Sequence, residues 1–468
     1  MKTISDIIKE INSIFRSLEL FFGSIINFRI LILFFLCVRI LFLMQVFTVT
    51  PDTAVNINLA SNILKGNWFQ IHEFQANGLI SSRPYFDHPP ATAVLMSVFI
   101  FFADNEIVGL FFTMIFLTIC ELCVVNYILN LKVFRNNRKL LFLAIALYTG
   151  HLYTGSIADQ FAMVLAMFVF SNLMYLFEQR KETSSIGMVV LSISLILIPL
   201  VKFSLIPLVF GSYFVMIWYL NGSNLDRKSS KKLFLFSTLT FGLTVFLFLY
   251  LQSMSSMSLN QGGFNCNINI YDLCKVDYFW MHLGKYIDRV YKHLMWNIDR
   301  VFIIHIDFWN IAQILTFTIW CVLFVRVRIL NDLSFKMLMF MGFIQTGYLA
   351  LLTVITPPQE NVLYGVDDKV WVYIEEARYY NYLAFFFFIM LANKLVNMFK
   401  MSFYFLIFLL FVNLTLECVE SRFACRLMNI NNCADVLRNN SGSKSAVQGK
   451  LTIGEIRSIR IMLGYEKY

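Results

Sequence analysis

The sequence predicts an all-α polytopic membrane protein with about eleven transmembrane helices. Of its 468 residues, 58% are apolar and only 14% are charged, whereas a soluble globular chain carries about 25% charged residues. Apolar runs also recur along almost the whole length. These observations exclude a soluble protein and indicate repeated passage through a bilayer.

The elements are expected in the following order. An amphipathic helix occupies residues 1–28, because Ile4, Ile8 and Ile11 repeat at helical spacing with charged residues between them. A transmembrane domain follows over 29–416, and a small tail covers 417–468. The predicted spans are 29–48, 109–130, 140–155, 159–177, 186–200, 204–220, 233–252, 308–325, 337–356, 378–393 and 402–416.

The charge of the connectors predicts the orientation. With eleven spans, the N-terminus and the basic connectors such as "LKVFRNNRK" and "RVRILNDLSFK" fall on one side. Short loops rich in Lys and Arg face the cytoplasm. The N-terminus is therefore expected in the cytoplasm, and the loops 49–108, 253–307 and 357–377 are expected on the exoplasmic side. The tail is also basic and falls outside, against this rule.

The first outer loop contains "RPYFDHPPATAV", from Arg83 to Val94. Residues 91–103 are apolar but too few to cross a bilayer. Pro89 and Pro90 suit the first turn of a helix, where a missing N–H costs nothing. We expect a helix that only dips into the outer leaflet, with Asp87 and His88 at the outer surface.

Ionisable groups from five separate segments are expected at the same outer face. They are Asp52, the pair Asp87 and His88, Asp159, Lys202 and Arg378. Charges near hydrocarbon are costly and usually functional or paired. A carboxylate there is suited to act as a general base, and the cations are suited to neutralise a phosphate.

Each of these residues also has a structural interpretation. Asp52 and Asp159 are suited to cap the helices that follow them. Lys202 is long enough to extend only to the interface, and Arg378 has Glu375 and Glu376 beside it. Arg39 and Glu121 lie near the middle of the first two spans, where we predict a buried ion pair.

The sequence shows no pattern for a metal or a cofactor. The six histidines are scattered, and His88 has no second His or Cys at metal-ligand spacing. No phosphate-binding or dinucleotide-binding loop is present. We therefore predict no cofactor and no nucleic-acid partner, and leave open whether a divalent metal takes part.

"PDTAVNINLASNILKGNW" followed by "RPYFDHPPATAVLMSVFIFFADNEIVGL" resembles the first outer loop of C-type (GT-C) glycosyltransferases. The likeness is to the branch with the protein O-mannosyltransferases and the lipid A aminoarabinose transferases. "EARYYNY" resembles an Arg-Tyr pattern of that family near a late span. The resemblance implies an inverting transfer of a sugar from a polyprenyl-phosphate donor, on the exoplasmic face, to a glycan, lipid or protein acceptor.

The resemblance also implies residue roles. Asp52 takes the position of the base that removes the acceptor proton, although Thr53 stands where relatives have a second acidic residue. Asp87 and His88 take the position of a pair that orients donor or acceptor, and Asp159 matches an acidic position grouped with them. Lys202 and Arg378 would hold the lipid phosphate.

Two other functions fit the same sequence features. One is a transporter or flippase of a lipid-linked glycan, a class that usually binds its substrate near the bilayer midplane. The other is a polysaccharide polymerase or ligase that uses a polyprenyl-diphosphate donor. The sugar and the acceptor stay open.

Overall fold

A computed structural model describes most of the apolar segments of the chain. The described residues are 28–45, 51–68, 70–74, 80–84, 89–148, 157–179, 185–222, 227–259, 280, 283–284, 287, 333–355, 380–398, 403–404, 406–411 and 414. Within them the protein is helical apart from one two-stranded antiparallel pair. The helical architecture is therefore confirmed, and the strand pair is a feature that we did not predict.

Several predicted regions lie outside these residues. They are the interfacial helix before residue 28, most of the loop 253–307, the span 308–325, the loop 357–377, much of the span 402–416 and the tail 417–468. The expectations for them stay predictions.

Most of the helices coincide with predicted spans. They are α1 (Phe28–Gln45), α2 (Pro51–Leu64), α3 (Ala91–Ala103), α4 (Glu106–Asn130), α5 (Arg138–Leu147), α6 (Ile157–Gln179), α7 (Ser185–Val201), α8 (Ile206–Gly222), α9 (Arg227–Leu259), α10 (Leu333–Ile355) and α11 (Asn381–Met398). A short 3-10 turn precedes α5 and another precedes α8. The helices α2 and α3 belong to the predicted first outer loop.

In the described part of the chain, three helical segments are long and apolar enough to cross a membrane. They are Glu106–Asn130, Ile157–Leu176 and Ser230–Leu251. Shorter apolar stretches lie in α3, α7, α8, α10 and α11. These segments are compatible with a membrane-embedded protein, and the count of eleven spans is a finer prediction.

Two helices differ in length from the predicted spans. The span 140–155 was placed too far along the chain, because α5 ends at Leu147 and Tyr148 is extended. The carbonyl oxygens of Ile145 and Tyr148 accept hydrogen bonds from Arg39, at 3.2 and 3.1 Å, at the point where the helix ends. Conversely, α9 continues to Leu259, so the loop expected from residue 253 begins later.

The helices α6 and α11 form the interior of the molecule. Every residue from Tyr380 to Asn393 is buried, and a helix that is apolar all round belongs in a core. The apolar window of α6 is 83% buried, against 39% for α4 and 22% for α9. The helices α4 and α9 therefore lie at the periphery.

The strand pair joins α2 to α3. The strands β1 (Gln70–Phe74) and β2 (Ile80–Pro84) pair antiparallel, with Gln70 opposite Pro84 and Phe74 opposite Ile80. The side-chain amide of Asn62 donates to the carbonyl of Gln70 at 2.7 Å. The pair is thereby attached to the C-terminal turn of α2.

The helices α3 and α4 form a tight antiparallel hairpin. As predicted, a helix follows Pro90. Asp104 takes the left-handed conformation, with φ 47°, and Asn105 caps α4 through its side-chain oxygen. The backbones approach closely, because a Cβ added to Gly109 would lie 2.6 Å from the Cα of Ile100. The Pro90 end of α3 consequently lies beside the middle of α4.

Candidate functional site

The structure describes the side chains of two predicted site residues. Asp159 is the third residue of α6, and Lys202 is the extended residue between α7 and the 3-10 turn before α8. Asp52 has a described backbone, in the first turn of α2. Asp87, His88 and Arg378 lie outside the described residues.

Two prolines explain why the chain breaks at Lys202. Pro199 lies in the last turn of α7, where its missing N–H removes one helical hydrogen bond. Pro207 lies in the first turn of α8, a position that favours the start of a new helix because a missing N–H costs nothing there. Lys202 has φ −161° and ψ 124°, and its N–H donates to the carbonyl of Ile198 at 2.9 Å. The break places a Lys side chain at the junction of two helices.

Lys202 forms an ion pair with Asp159. The helices α6 and α7 are consecutive and pack side by side, so the start of α6 and the end of α7 lie at the same end of the pair. The Nζ atom of Lys202 contacts the Oδ1 atom of Asp159. The two side chains are 15% and 7% exposed, which makes this a largely desolvated pair.

The ion pair bears on two structural interpretations. The Lys202 side chain contacts a buried carboxylate, which argues against an interfacial role alone. Asp159 lies inside the first turn of α6, so it is not the residue that precedes the helix. The same holds for Asp52, because α2 begins at Pro51. The predicted N-cap positions are therefore wrong for both residues.

The start of α2 lies beside the start of α6. The backbone N–H of Ile157 donates to the hydroxyl of Thr53 at 3.5 Å, and both residues are buried. Thr53 follows Asp52 directly, and Ile157 is two residues before Asp159. Two of the predicted acidic segments therefore meet.

Tyr380, the first residue of the late described segment, is connected through α10 to the helix break at Lys202. The hydroxyl of Tyr380 donates to Thr346 at 3.3 Å. The neighbouring Gln345 donates to the carbonyl of Ser204 at 3.0 Å. Tyr380 is two residues after Arg378, and Ser204 is two residues after Lys202. A chain of buried polar contacts therefore connects these two segments.

The start of α3, which follows Asp87 and His88 in the sequence, lies in the same region. Pro89 is buried, and α3 packs against α2, α6 and α7. The Pro90 end of α3 lies beside the middle of α4. The position of the start of α6 along α4 can be compared with it. Gln160 of α6 donates to Thr118, also near the middle of α4, at 3.4 Å. The N-terminal ends of α3 and α6 therefore lie at a similar position along the axis of α4.

This arrangement has the parts for binding an anion next to a base. A cation lies at a helix break, a carboxylate lies against it, and a second acidic segment is adjacent. The cation is suited to bind a phosphate. A carboxylate within reach of the same substrate is suited to accept a proton.

Sequence reasoning missed the polar residues of α10 and its neighbours. The hydroxyls of Ser204 and Tyr382 and the Oε1 atom of Gln345 are buried without a hydrogen-bond partner in the part of the chain that is described. Tyr348 donates to the carbonyl of Phe203 at 3.2 Å. The run "QTGY" inside an apolar helix is a signal that marks this face.

The predicted pair of Arg39 and Glu121 is confirmed and is formed by other residues than those of this site. The Nη2 atom of Arg39 is 3.1 Å from the Oε1 atom of Glu121, and both side chains are buried. Arg39 also stacks over the ring of Phe35, 4.5 Å from its centre. Its remaining donors bind the end of α5, so the residue connects three helices.

The structure gives no support for a metal ion within its described range. No three His, Cys, Asp or Glu side chains come together there. Asp87 and His88 are outside that range, and a site without a metal stays a prediction.

A comparison with protein-family models, one with curated proteins and one with solved structures each found no match.

Proposed function

We propose that the protein is an inverting glycosyltransferase that moves a sugar from a polyprenyl-phosphate donor to an acceptor. The observation that supports this most is the pair of Lys202 and Asp159 at the junction of α6 and α7. The start of α2, which carries Asp52, lies beside the start of α6 and so supports a base near the pair. Arg378 is proposed as a second cation from a segment that lies outside the described residues. The proposal includes eleven spans, a cytoplasmic N-terminus and an exoplasmic site.

In the proposed reaction, the acceptor hydroxyl attacks the anomeric carbon from the face opposite the phosphate. Its proton passes to the carboxylate of Asp52. The bond from the anomeric carbon to the phosphate oxygen breaks, and its electron pair remains on the phosphate. Polyprenyl phosphate leaves with one additional negative charge, which Lys202 and Arg378 stabilise. Asp87, His88 and Asp159 orient donor and acceptor.

A transporter or flippase of a lipid-linked glycan is the second candidate. Gln160, next to Asp159, contacts Thr118 near the middle of α4, which is long enough to span a bilayer. Transporters bind their substrates at such a depth. The two functions differ in chemistry, because a transporter leaves the glycosidic bond intact.

The test is a transfer assay with the purified protein in lipid vesicles. The probes are polyprenyl-phosphate glucose, mannose and aminoarabinose, and the acceptors come from a membrane extract. We expect sugar transfer and release of polyprenyl phosphate by the wild type. Asp52→Asn keeps the size of the side chain but cannot accept a proton, so transfer should fall at least about a hundredfold.

Lys65→Gln, at an exposed position beyond the C-terminal end of α2, is the control and should keep full activity. Normal transfer by Asp52→Asn would remove Asp52 from the mechanism. Movement of intact donor across the vesicle membrane without release of polyprenyl phosphate would support the transporter instead.

A further inference from the structure

Lys202, the cation assigned to the donor phosphate, is already in contact with a carboxylate. Asp159 approaches it from α6. The first turn of α6 offers backbone N–H groups and the positive end of the helix dipole. Asp159 therefore has a local source of stabilisation in addition to Lys202.

We propose that Asp159 competes with the lipid phosphate for Lys202 and so limits how tightly the product, polyprenyl phosphate, is held. This inference rests on the proposed transferase function. A phosphate that contacts Lys202 lies close to the Asp159 carboxylate, and two negative charges at that separation repel each other. The carboxylate regains the cation when the product leaves, which favours release.

The surroundings of Lys202 allow its side chain to exchange partners without movement of the backbone. Hydrogen bonds that hold the backbone at the break include one from Lys202 to Ile198, one from Gln345 to Ser204, and one from Tyr348 to Phe203. The lysine has a long side chain with rotatable bonds. The proposed change of partner is a rotation of the Lys202 side chain, with the backbone at the break held in place.

A buried hydroxyl two residues after Lys202 supports an anion near this position. Ser204 is 7% exposed, and its Oγ atom has no hydrogen-bond partner in the described structure. A buried hydroxyl without a partner is costly. A phosphate oxygen near Lys202 would give such a donor an acceptor.

The experiment measures the affinity of the purified full-length protein in nanodiscs for undecaprenyl phosphate. Undecaprenol, which lacks the phosphate, is the matched ligand. The variants are Asp159→Asn, Lys202→Gln and the double variant. We expect Asp159→Asn to bind the phosphate about tenfold more tightly than the wild type, because one repulsive charge is gone.

Lys202→Gln should bind at least about tenfold more weakly, and Asp159→Asn should give no gain when Lys202 is also replaced. In the transfer assay, release of polyprenyl phosphate from Asp159→Asn should be slower. Asp159→Ser, which keeps a polar helix-start residue, takes the place of the Asn variant if that variant does not fold.

Unchanged or weaker binding by folded Asp159→Asn would overturn the competition, and so would failure of both Asp159 variants to fold. The proposed transferase function is compatible with these outcomes if the wild type still binds undecaprenyl phosphate more tightly than undecaprenol. A wild type that binds the two lipids equally contradicts the transferase itself.

Discussion

Two buried ion pairs in this protein differ in their surroundings. Arg39 contacts Glu121 and also donates to two carbonyl oxygens at the end of α5. The guanidinium N–H groups of Arg39 therefore bind acceptors that the packed helices hold in place. Lys202 contacts Asp159 at a helix break and is partly exposed. We interpret the first pair as structural and the second as part of a binding site.

Replacing one member of the structural pair should destabilise the protein strongly. Arg39→Leu removes the cation that faces the buried carboxylate of Glu121. The loss of one partner of such a pair costs about 3–5 kcal/mol of unfolding free energy. Unfolding by sodium dodecyl sulfate in mixed micelles, followed by tryptophan fluorescence, measures this change.

The double variant Arg39→Leu with Glu121→Leu is the control. It removes both charges, so we expect it to be more stable than Arg39→Leu alone. A double variant that loses the sum of the two single changes would show that the residues do not act as a pair.

At the scale of the elements, the close approach of α3 and α4 depends on Gly109. Its Cα faces the backbone of Ile100, and a methyl group there would lie 2.6 Å from the Cα of Ile100. Gly109→Ala must therefore separate the helices. We expect a loss of about 1–3 kcal/mol of unfolding free energy in the same micelle titration.

Gly242→Ala in α9 is the matched control. Apart from its chain neighbours and its own helix backbone, no atom of the described residues lies within 4 Å of the position of its Cβ, and Ala favours a helix over Gly. The control should be neutral or slightly stabilising. Equal effects of the two substitutions would contradict the tight hairpin.

Most helices could be predicted because their apolar composition does not depend on packing. The strand pair could not be predicted from alternation, since "QIHEF" and "ISSRP" are short and mixed. The five residues between them contain Asn77 and Gly78, which is a hairpin signal that we did not use. The end of α5 coincides with the hydrogen bonds that Arg39 donates. Because Arg39 is distant in sequence, the local sequence did not indicate this end.

The candidate site was predicted as a set of residues, and the contacts within it were not. The positions of Asp159 and Lys202 at helix ends follow from the spans. Their direct pairing depends on how α6 and α7 pack, and so does the connection of Tyr380 to the break. Polar residues within apolar helices, such as Gln345, have no charge that would single them out in the sequence.

At the scale of the whole molecule, the hairpin sets the depth of the site. Thr118, which contacts Gln160, lies about twelve residues, or roughly 18 Å, from the start of α4. With α4 taken as a span that starts at the membrane surface, the Pro90 end of α3 would lie deeper than the Asp104 turn. The expectation that Asp87 and His88 lie at the outer surface stays a prediction.

A recessed site suits a substrate that is itself a lipid. The outward faces of α3 and α4 carry exposed apolar side chains, among them Phe101, Phe102, Phe112 and Phe116. A soluble protein rarely exposes so many, whereas lipid chains accept them. Under the proposed function, a polyprenyl phosphate would reach Lys202 from the bilayer, with its charge leaving water only at the site.

The most direct test is a structure of the protein in a nanodisc with undecaprenyl phosphate bound. We predict that the phosphate contacts Lys202, that Arg378 faces the same phosphate, and that Asp52 lies on the side where an acceptor would enter. A phosphate bound elsewhere, or Asp52 and Arg378 at opposite ends of the molecule, would contradict the proposed function.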